Sequence, residues 1–295
     1  MKSTIALEFV PPNEEDGPEK AAEEAAKVVQ LSRECGIGGR IQHLMIPGMI
    51  EEDPDRPVAM KPKMDPLATW KAARGEVPDM QGICTQVTAF LEKPALTRRF
   101  QDLRQSGMEG IIFVGVPRTM ADGEGNGMAP TDALSEFTEL VPNRGAILIP
   151  TREGEQGRFN FKCERGATFA LTQLLYSDAI VDFLKEFAAT TKHRPNVLLS
   201  FGYVPKVEQK VKLIEWLIQD PGNPKVEAEQ RFVRRLAGLE AQDKRRELLE
   251  LYKRVIDGVG ELGFPISLHL EAPYGFVKPA FRTFAKMLDY WAPDK

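Results

Sequence analysis

The sequence predicts a single (β/α)₈ (TIM) barrel spanning residues 1–295, and three observations carry that expectation. Strand-like and helix-like segments alternate eight times without a hairpin signal, the order of a parallel sheet wrapped by helices. Helix-to-strand connections are terse, at residues 35–39, 107–109, 142–144 and 263–264, while those after strands two, four and five are long and polar. Long loops therefore gather at one rim, and 295 residues suit one barrel with insertions.

The first strand, Ile5-Ala6-Leu7-Glu8-Phe9-Val10, stops at Pro11-Pro12, which cannot donate ladder hydrogen bonds. Residues 19–34 carry apolar positions at helical spacing and end at Gly36, Gly38 and Gly39. Strand two is 40–46, broken by Pro47-Gly48; a proline-rich loop and a weak helix over 67–74 follow. Strand three covers 82–89, and a helix over 93–106 leads through Gly107 to strand four, 110–116. A glycine-rich loop, 117–130, precedes a short helix capped by Thr131 and running to 141. Strand five is 145–150; a polar loop over 151–165 leads to strand six, 166–175. Ser177 is the expected cap of a helix over 178–190. Strand seven covers 196–204, a helix 207–218, and a turn 219–224. The charged stretch 226–262, with Lys, Arg and Glu at i,i+4 spacing, reads as a long, solvated helical insertion. Strand eight is 265–272 and the last helix 277–290.

Composition narrows the function. A net charge of −4 argues against general nucleic-acid binding. No apolar run approaches the roughly 18 residues of a membrane span, and no signal-peptide layout opens the chain. Cys35, Cys84 and Cys163 are scattered, so neither a disulfide frame nor a zinc site is expected and the cytoplasm is the expected location. Homo-oligomerisation stays open.

Glu8 is the pivotal residue. A carboxylate in an apolar strand is costly unless solvated, paired or put to work, and Glu8 stands two residues short of the strand's end, on the ligand-binding rim of such barrels. Closing the barrel sets strand one between strands two and eight, so His43, His269 and Glu271 can flank Glu8. Those groups would also suit a metal triad and a barrel hydrolase, the rival of another class; a non-catalytic partner subunit is a third reading. On strand six, Thr172-Gln173 offers an amide that both donates and accepts, suited to the edge of a heterocycle such as a pterin. The loop from Asp122 to Gly127 lacks the spacing of a phosphate or EF-hand loop and reads as a lid from which Glu124 would reach inward.

Leu7-Glu8-Phe9-Val10-Pro11-Pro12 resembles the Phe-Glu-Phe-Phe-Pro-Pro opening of the methylenetetrahydrofolate reductase family, and Gly166 to Asp178 resembles its Thr-Gln strand. The resemblance implies reduction of 5,10-methylenetetrahydrofolate to 5-methyltetrahydrofolate, in one-carbon and methionine metabolism. Glu8 matches the acid that protonates the bridging nitrogen, opening the ring to an iminium that a hydride reduces. Gln173 matches the pterin anchor, with Thr172, Tyr176, Tyr203, His269 and Glu271 as further walls of the substrate site. Lys162 matches a contact to the flavin phosphates and Glu155 falls near another cofactor contact; His43, Thr85, Gln86, Gly115, Arg118 and Glu124 complete the expected cofactor set. Two departures point away from FAD: Val116-Pro117-Arg118-Thr119 replaces the family's Arg-Gly-Asp run, and the arginine after strand eight is missing. The whole chain is more similar to a divergent branch drawing its hydride from a reduced 8-hydroxy-5-deazaflavin, coenzyme F420, with FAD or NADH as alternatives. Both that cofactor and a polyglutamylated folate have acidic tails, and the rim loops offer Arg56, Lys61, Lys63, Arg118, Arg152, Arg158, Lys162 and Lys206.

Overall fold

Eight parallel strands close on themselves in chain order: β1 (Ile5–Glu8), β2 (His43–Ile46), β3 (Gln81–Val87), β4 (Met108–Val114), β5 (Arg144–Leu148), β6 (Phe169–Thr172), β7 (Asn196–Gly202) and β8 (Ile266–Glu271). The computed structural model describes residues 3–49, 56–115 and 127–291. Among these, the helices are α1 (Gly17–Glu34), α2 (Pro66–Ala73), α3 (Lys93–Gln105), α4 (Pro130–Glu136), α5 (Glu155–Glu164), α6 (Ala179–Thr190), α7 (Glu208–Leu217), α8 (Pro224–Gly238), α9 (Ala241–Val259) and α10 (Lys278–Tyr290). The architecture is a TIM barrel, with α8 and α9 forming the charged insertion before β8. No helix among the described residues is long and apolar enough to cross a membrane.

Alternation along each strand divides two cores. Ile5, Leu7 and Phe9 pack outward beneath the helices, while Ala6, Met45, Ile83, Ile112, Phe169, Leu171 and Leu198 fill the barrel. Glu8 has the parity of Ala6 and so belongs to the inner face, at its upper end. The inner core is closed by one large ring: Phe169 lies over Gly145 and Gly110, where a Cβ would come within 2.5 Å and 3.3 Å of the ring. Bulk from β6 thus occupies space that glycines on β4 and β5 leave open.

Several local expectations are corrected. Residues 151–165 are not a long loop: α5 occupies most of the segment, opened by Gly154 in the left-handed region at φ 69°. The helix after strand four ends at Glu136, because the Arg144 guanidinium takes the Thr138 and Val141 carbonyls at 2.7 and 2.8 Å. Its cap is Ala129, with Pro130 at the first helical position, so Thr131 caps nothing. At α6 the cap position falls on Asp178, while the Ser177 hydroxyl bonds Glu229 at 2.5 Å and accepts the Ala179 N–H at 3.5 Å.

Because a methyl group at Gly145 would collide with Phe169, Gly145→Ala is expected to cost roughly 1–3 kcal/mol of stability. Urea denaturation checks it. The double variant Gly145→Ala/Phe169→Leu recovers part of the loss if the clash is its cause.

Candidate active site

At the C-terminal mouth of the barrel lies a cavity of about 650 Å³. Glu8, Glu271 and Gln173 meet there with Arg56, Arg152 and Lys162, against an apolar wall that includes Val87, Phe113, Val114 and Ile147.

The two carboxyl groups are neighbours because β1 pairs with β8 in the register Leu7↔Leu270, which sets Glu8 beside Glu271. Ser200, on β7, and His269 stand below them on the same inner face. Ser200 Oγ donates to the Thr172 carbonyl at 2.9 Å, leaving a lone pair toward His269 Nδ1, also at 2.9 Å. His269 Nδ1 lies 3.1 Å from Glu271 Oε1 as well. Both partners of Nδ1 therefore accept, and this nitrogen carries the proton. His269 thereby fixes the rotamer of Glu271.

Burial dominates the electrostatics. Loss of solvation pushes Glu8 up to about 8, helped by the Glu271 charge and opposed by His269. Glu271 is likewise pushed up to about 8 by burial, with the Ser200 hydroxyl working against it. The same burial pushes His269 down to about 4. At neutral pH the site thus holds a neutral imidazole beneath carboxyls that keep their protons, the state a general acid needs.

On the opposite wall, buried Glu155 organises two cations. Its Oε2 accepts from Arg152 Nε at 2.7 Å and its Oε1 is 3.4 Å from Lys162 Nζ. Lys162 also donates to the Ile147 carbonyl at 2.7 Å, and burial lowers its pKa. Arg56 lies over the Trp216 ring, 5.2 Å from its centroid. Gln173 donates its amide to the Leu217 carbonyl at the end of α7, leaving its own carbonyl oxygen as an acceptor at the cavity.

The structure brings together Glu8, Gln173, Glu271, Lys162 and Gly115 of the expected residues. It separates others from the cavity. His43 sits at the far end of the barrel, one inner layer below Glu8, held by Thr4 at 2.7 Å and Glu109 at 2.5 Å. It cannot join a triad with Glu8, and no cluster of three metal-ligating side chains exists among the described residues. Gln86 points outward, accepting from Arg99 at 2.8 Å. Thr85 accepts from Gly48 N at 2.6 Å, and Thr172 from Ser200 N at 2.9 Å; both are buried in these roles. Tyr203 faces α9, with Lys244 near its ring, and Tyr176 is buried behind Glu271. Glu155 supports the cavity from beneath. Of the expected rim cations, Lys61 pairs with Glu15, Lys63 with Asn13 and Lys206 with Glu240. Arg158 donates to the Glu153 carbonyl. Arg118 and Glu124 lie outside the described residues.

Sequence reasoning missed Ser200, and it missed Glu229, which lies on the apolar stripe Val226, Glu229, Val233, Leu236 of α8 and is buried there. That stripe was the available signal.

Over residues 1–295 the chain matches the family described as mycobacterial methylenetetrahydrofolate reductase. No curated protein matches it. Among solved structures, an uncharacterised protein from Clostridium thermocellum that binds two copies of 5-methyl-5,6,7,8-tetrahydrofolic acid superposes with a TM-score of 0.69 at 17% identity, covering 98% of this chain and 96% of that one. A ligand-free point variant of tryptophan synthase from M. tuberculosis reaches a TM-score of 0.46 at 11% identity, with 97% of this chain and 92% of that one covered. The first likeness shows the shared barrel; the second carries no argument.

The carboxyl pair makes stability depend on pH. Its folded values near 8 exceed the unfolded value of 4.5, so its stabilising contribution is complete below about pH 4.5 and lost as pH rises through 8. The melting temperature is expected to fall between pH 5 and 8.5, and Glu8→Gln to flatten the fall, gaining at least about 2 °C over wild type at pH 8.5. Calorimetry at both pH values checks this.

Proposed function

This chain belongs to the methylenetetrahydrofolate reductase family, an oxidoreductase family, and from that premise we propose that it converts 5,10-methylenetetrahydrofolate to 5-methyltetrahydrofolate with Glu8 as the general acid. The observation that carries the reading is geometric: Glu8 stands beside Glu271 at the barrel mouth, in one cavity with Gln173, where burial raises its pKa and so favours the protonated acid.

Protonated Glu8 gives its proton to the bridging nitrogen of the folate. The five-membered ring opens, and the electron pair of the neighbouring nitrogen forms the iminium. Hydride addition to that carbon yields the methyl group. Gln173, with one of its two amide hydrogens committed to the Leu217 carbonyl, offers its oxygen to the pterin's N–H edge. The apolar wall excludes water from the iminium.

A hydride donor fits the same cavity. Its flat ring would lie on the wall of Val87, Phe113, Val114 and Ile147, and its anionic groups would be held by Arg56, Arg152 and Lys162. Bound there, it supplies two electrons as hydride. We take it to be an exchangeable carrier, reduced coenzyme F420 or NADH, in preference to tightly held FAD. The support is the sequence after β4, which lacks the aspartate that flavin-dependent members set near the flavin ring. The neighbour that binds 5-methyltetrahydrofolate supports a folate as the second ligand.

Two experiments test this. Pure protein is mixed separately with reduced F420, with NADH and with NADH plus FAD, then given methylenetetrahydrofolate; oxidation of either exchangeable donor without added flavin is the expected result. Glu8→Gln is expected to bind both ligands yet lose about 10²–10⁴-fold in turnover. Wild-type rates in that variant would remove the acid role.

A further inference from the structure

An acid at Glu8 does not by itself account for the buried chain Ser200–His269–Glu271 beside it. We propose that Ser200 and His269 are positioning residues for Glu271, and that Glu271 and Gln173 together read the lactam edge of the pterin, its C4=O and N3–H. This rests on the reductase reading above.

Every link below Glu271 is a contact. The Thr172 carbonyl on β6 accepts the Ser200 hydroxyl at 2.9 Å, and Thr172 Oγ1 accepts the Ser200 N–H at 2.9 Å. Ser200 Oγ faces His269 Nδ1 at 2.9 Å, and that nitrogen lies 3.1 Å from Glu271 Oε1. Ser200 is 0% and His269 1% exposed, and neither lines the cavity, whereas Glu271 does. The imidazole N–H thus holds Oε1 down, and Oε2 is the oxygen turned to a ligand. Among the described residues no lysine or arginine pairs with Glu271. A buried carboxyl without a cation keeps its proton, and burial accordingly raises this one to about 8. With Oε1 accepting from His269, Oε2 carries the hydrogen and donates.

Strand β7 leaves room for a flat ring. Above Leu198 its inner residues are Ser200 and Gly202, and Gly202 is the register partner of Glu271. The place of a side chain at Gly202 is taken by Leu174 and the Tyr176 hydroxyl, 2.6 and 2.7 Å from where a Cβ would stand. Both residues are buried and neither lines the cavity. No side chain of β7 therefore rises between Gln173, just past β6, and Glu271 on β8. From β6 round to β1 the polar groups of the cavity run Gln173, Glu271, Glu8. Around a reduced pterin the order is N3–H, C4=O, N5. The Gln173 oxygen accepts from N3–H and Glu271 donates to the C4 oxygen. Glu8 then falls on the side of the ring where the methylene bridge opens.

The 4-amino-4-deoxy analogue of 5-methyltetrahydrofolate inverts that edge, with an amine in place of the oxygen and a bare ring nitrogen in place of N3–H. In calorimetric titrations without a hydride donor, wild-type protein is expected to bind it about tenfold or more weakly than 5-methyltetrahydrofolate. Ser200→Ala and Glu271→Leu are expected to reduce that preference below about threefold. His269→Asn, whose amide N–H can stand where Nδ1–H stood, is expected to keep it. A merely structural role would weaken both ligands alike and leave their ratio unchanged. Melting curves identify a variant that does not fold, and Glu271→Leu, at the cavity surface, decides if Ser200→Ala fails. Equal or tighter binding of the analogue by wild-type protein, or an unchanged preference in Glu271→Leu, overturns the lactam reading and leaves the acid role of Glu8 standing. Wild-type protein that binds neither folate removes the reductase reading, and this one with it.

Discussion

Two carboxyl groups side by side at the barrel mouth, Glu271 buried and Glu8 half-buried, are the constraint on which the site depends. Each pKa unit by which burial raises Glu8 or Glu271 is about 1.4 kcal/mol of preference for the protonated form. Ionising either group leaves a charge among apolar walls; ionising both sets like charges on adjacent strands. The barrel answers by keeping the protons and by burying a neutral imidazole, not a cation, against Glu271. A lysine or arginine in place of His269 would hold the carboxylates ionised and abolish the acid.

Such an arrangement needs a floor that does not relax. The inner core below Glu8, from Ala6 and Met45 to Phe169 and Leu198, is apolar and close-packed. At the opposite end the polar residues are spent on one another: Thr4 on His43, His43 on Glu109, and Ser267 on Asn196. Water entering from below would have to cross that polar layer and then hydrocarbon, so the high pKa values at the top depend on the packing of the middle.

Much of this was legible in the sequence, and the remainder was not for definite reasons. The strand carrying Glu8 announces itself by its β-type residues and Pro11-Pro12, and eight alternations define the barrel. Strand membership does not give height along the barrel axis: His43 opens β2 and is tied to Thr4 and Glu109 at the N-terminal ends of the strands, away from Glu8. Nor does it give parity without register, which is why Gln86 looks eligible until its bond to Arg99 turns it outward. The helix α5 hides behind Gly154 and Gly157, yet that helix presents Glu155 and Lys162. Glu229 is camouflaged by the charges around it. Its place on an apolar stripe at helical spacing was readable, but a charged segment invites the reading of a solvated surface.

The placement of the charges explains why the two faces of β6 to β8 differ. Cations gather on the cavity side, where Arg56, Arg152 and Lys162 suit anionic ligands, and the buried carboxyl of Glu229 lies behind the wall. On the proposed reading, these cations would draw two anionic ligands to the cavity that Glu8 and Gln173 line.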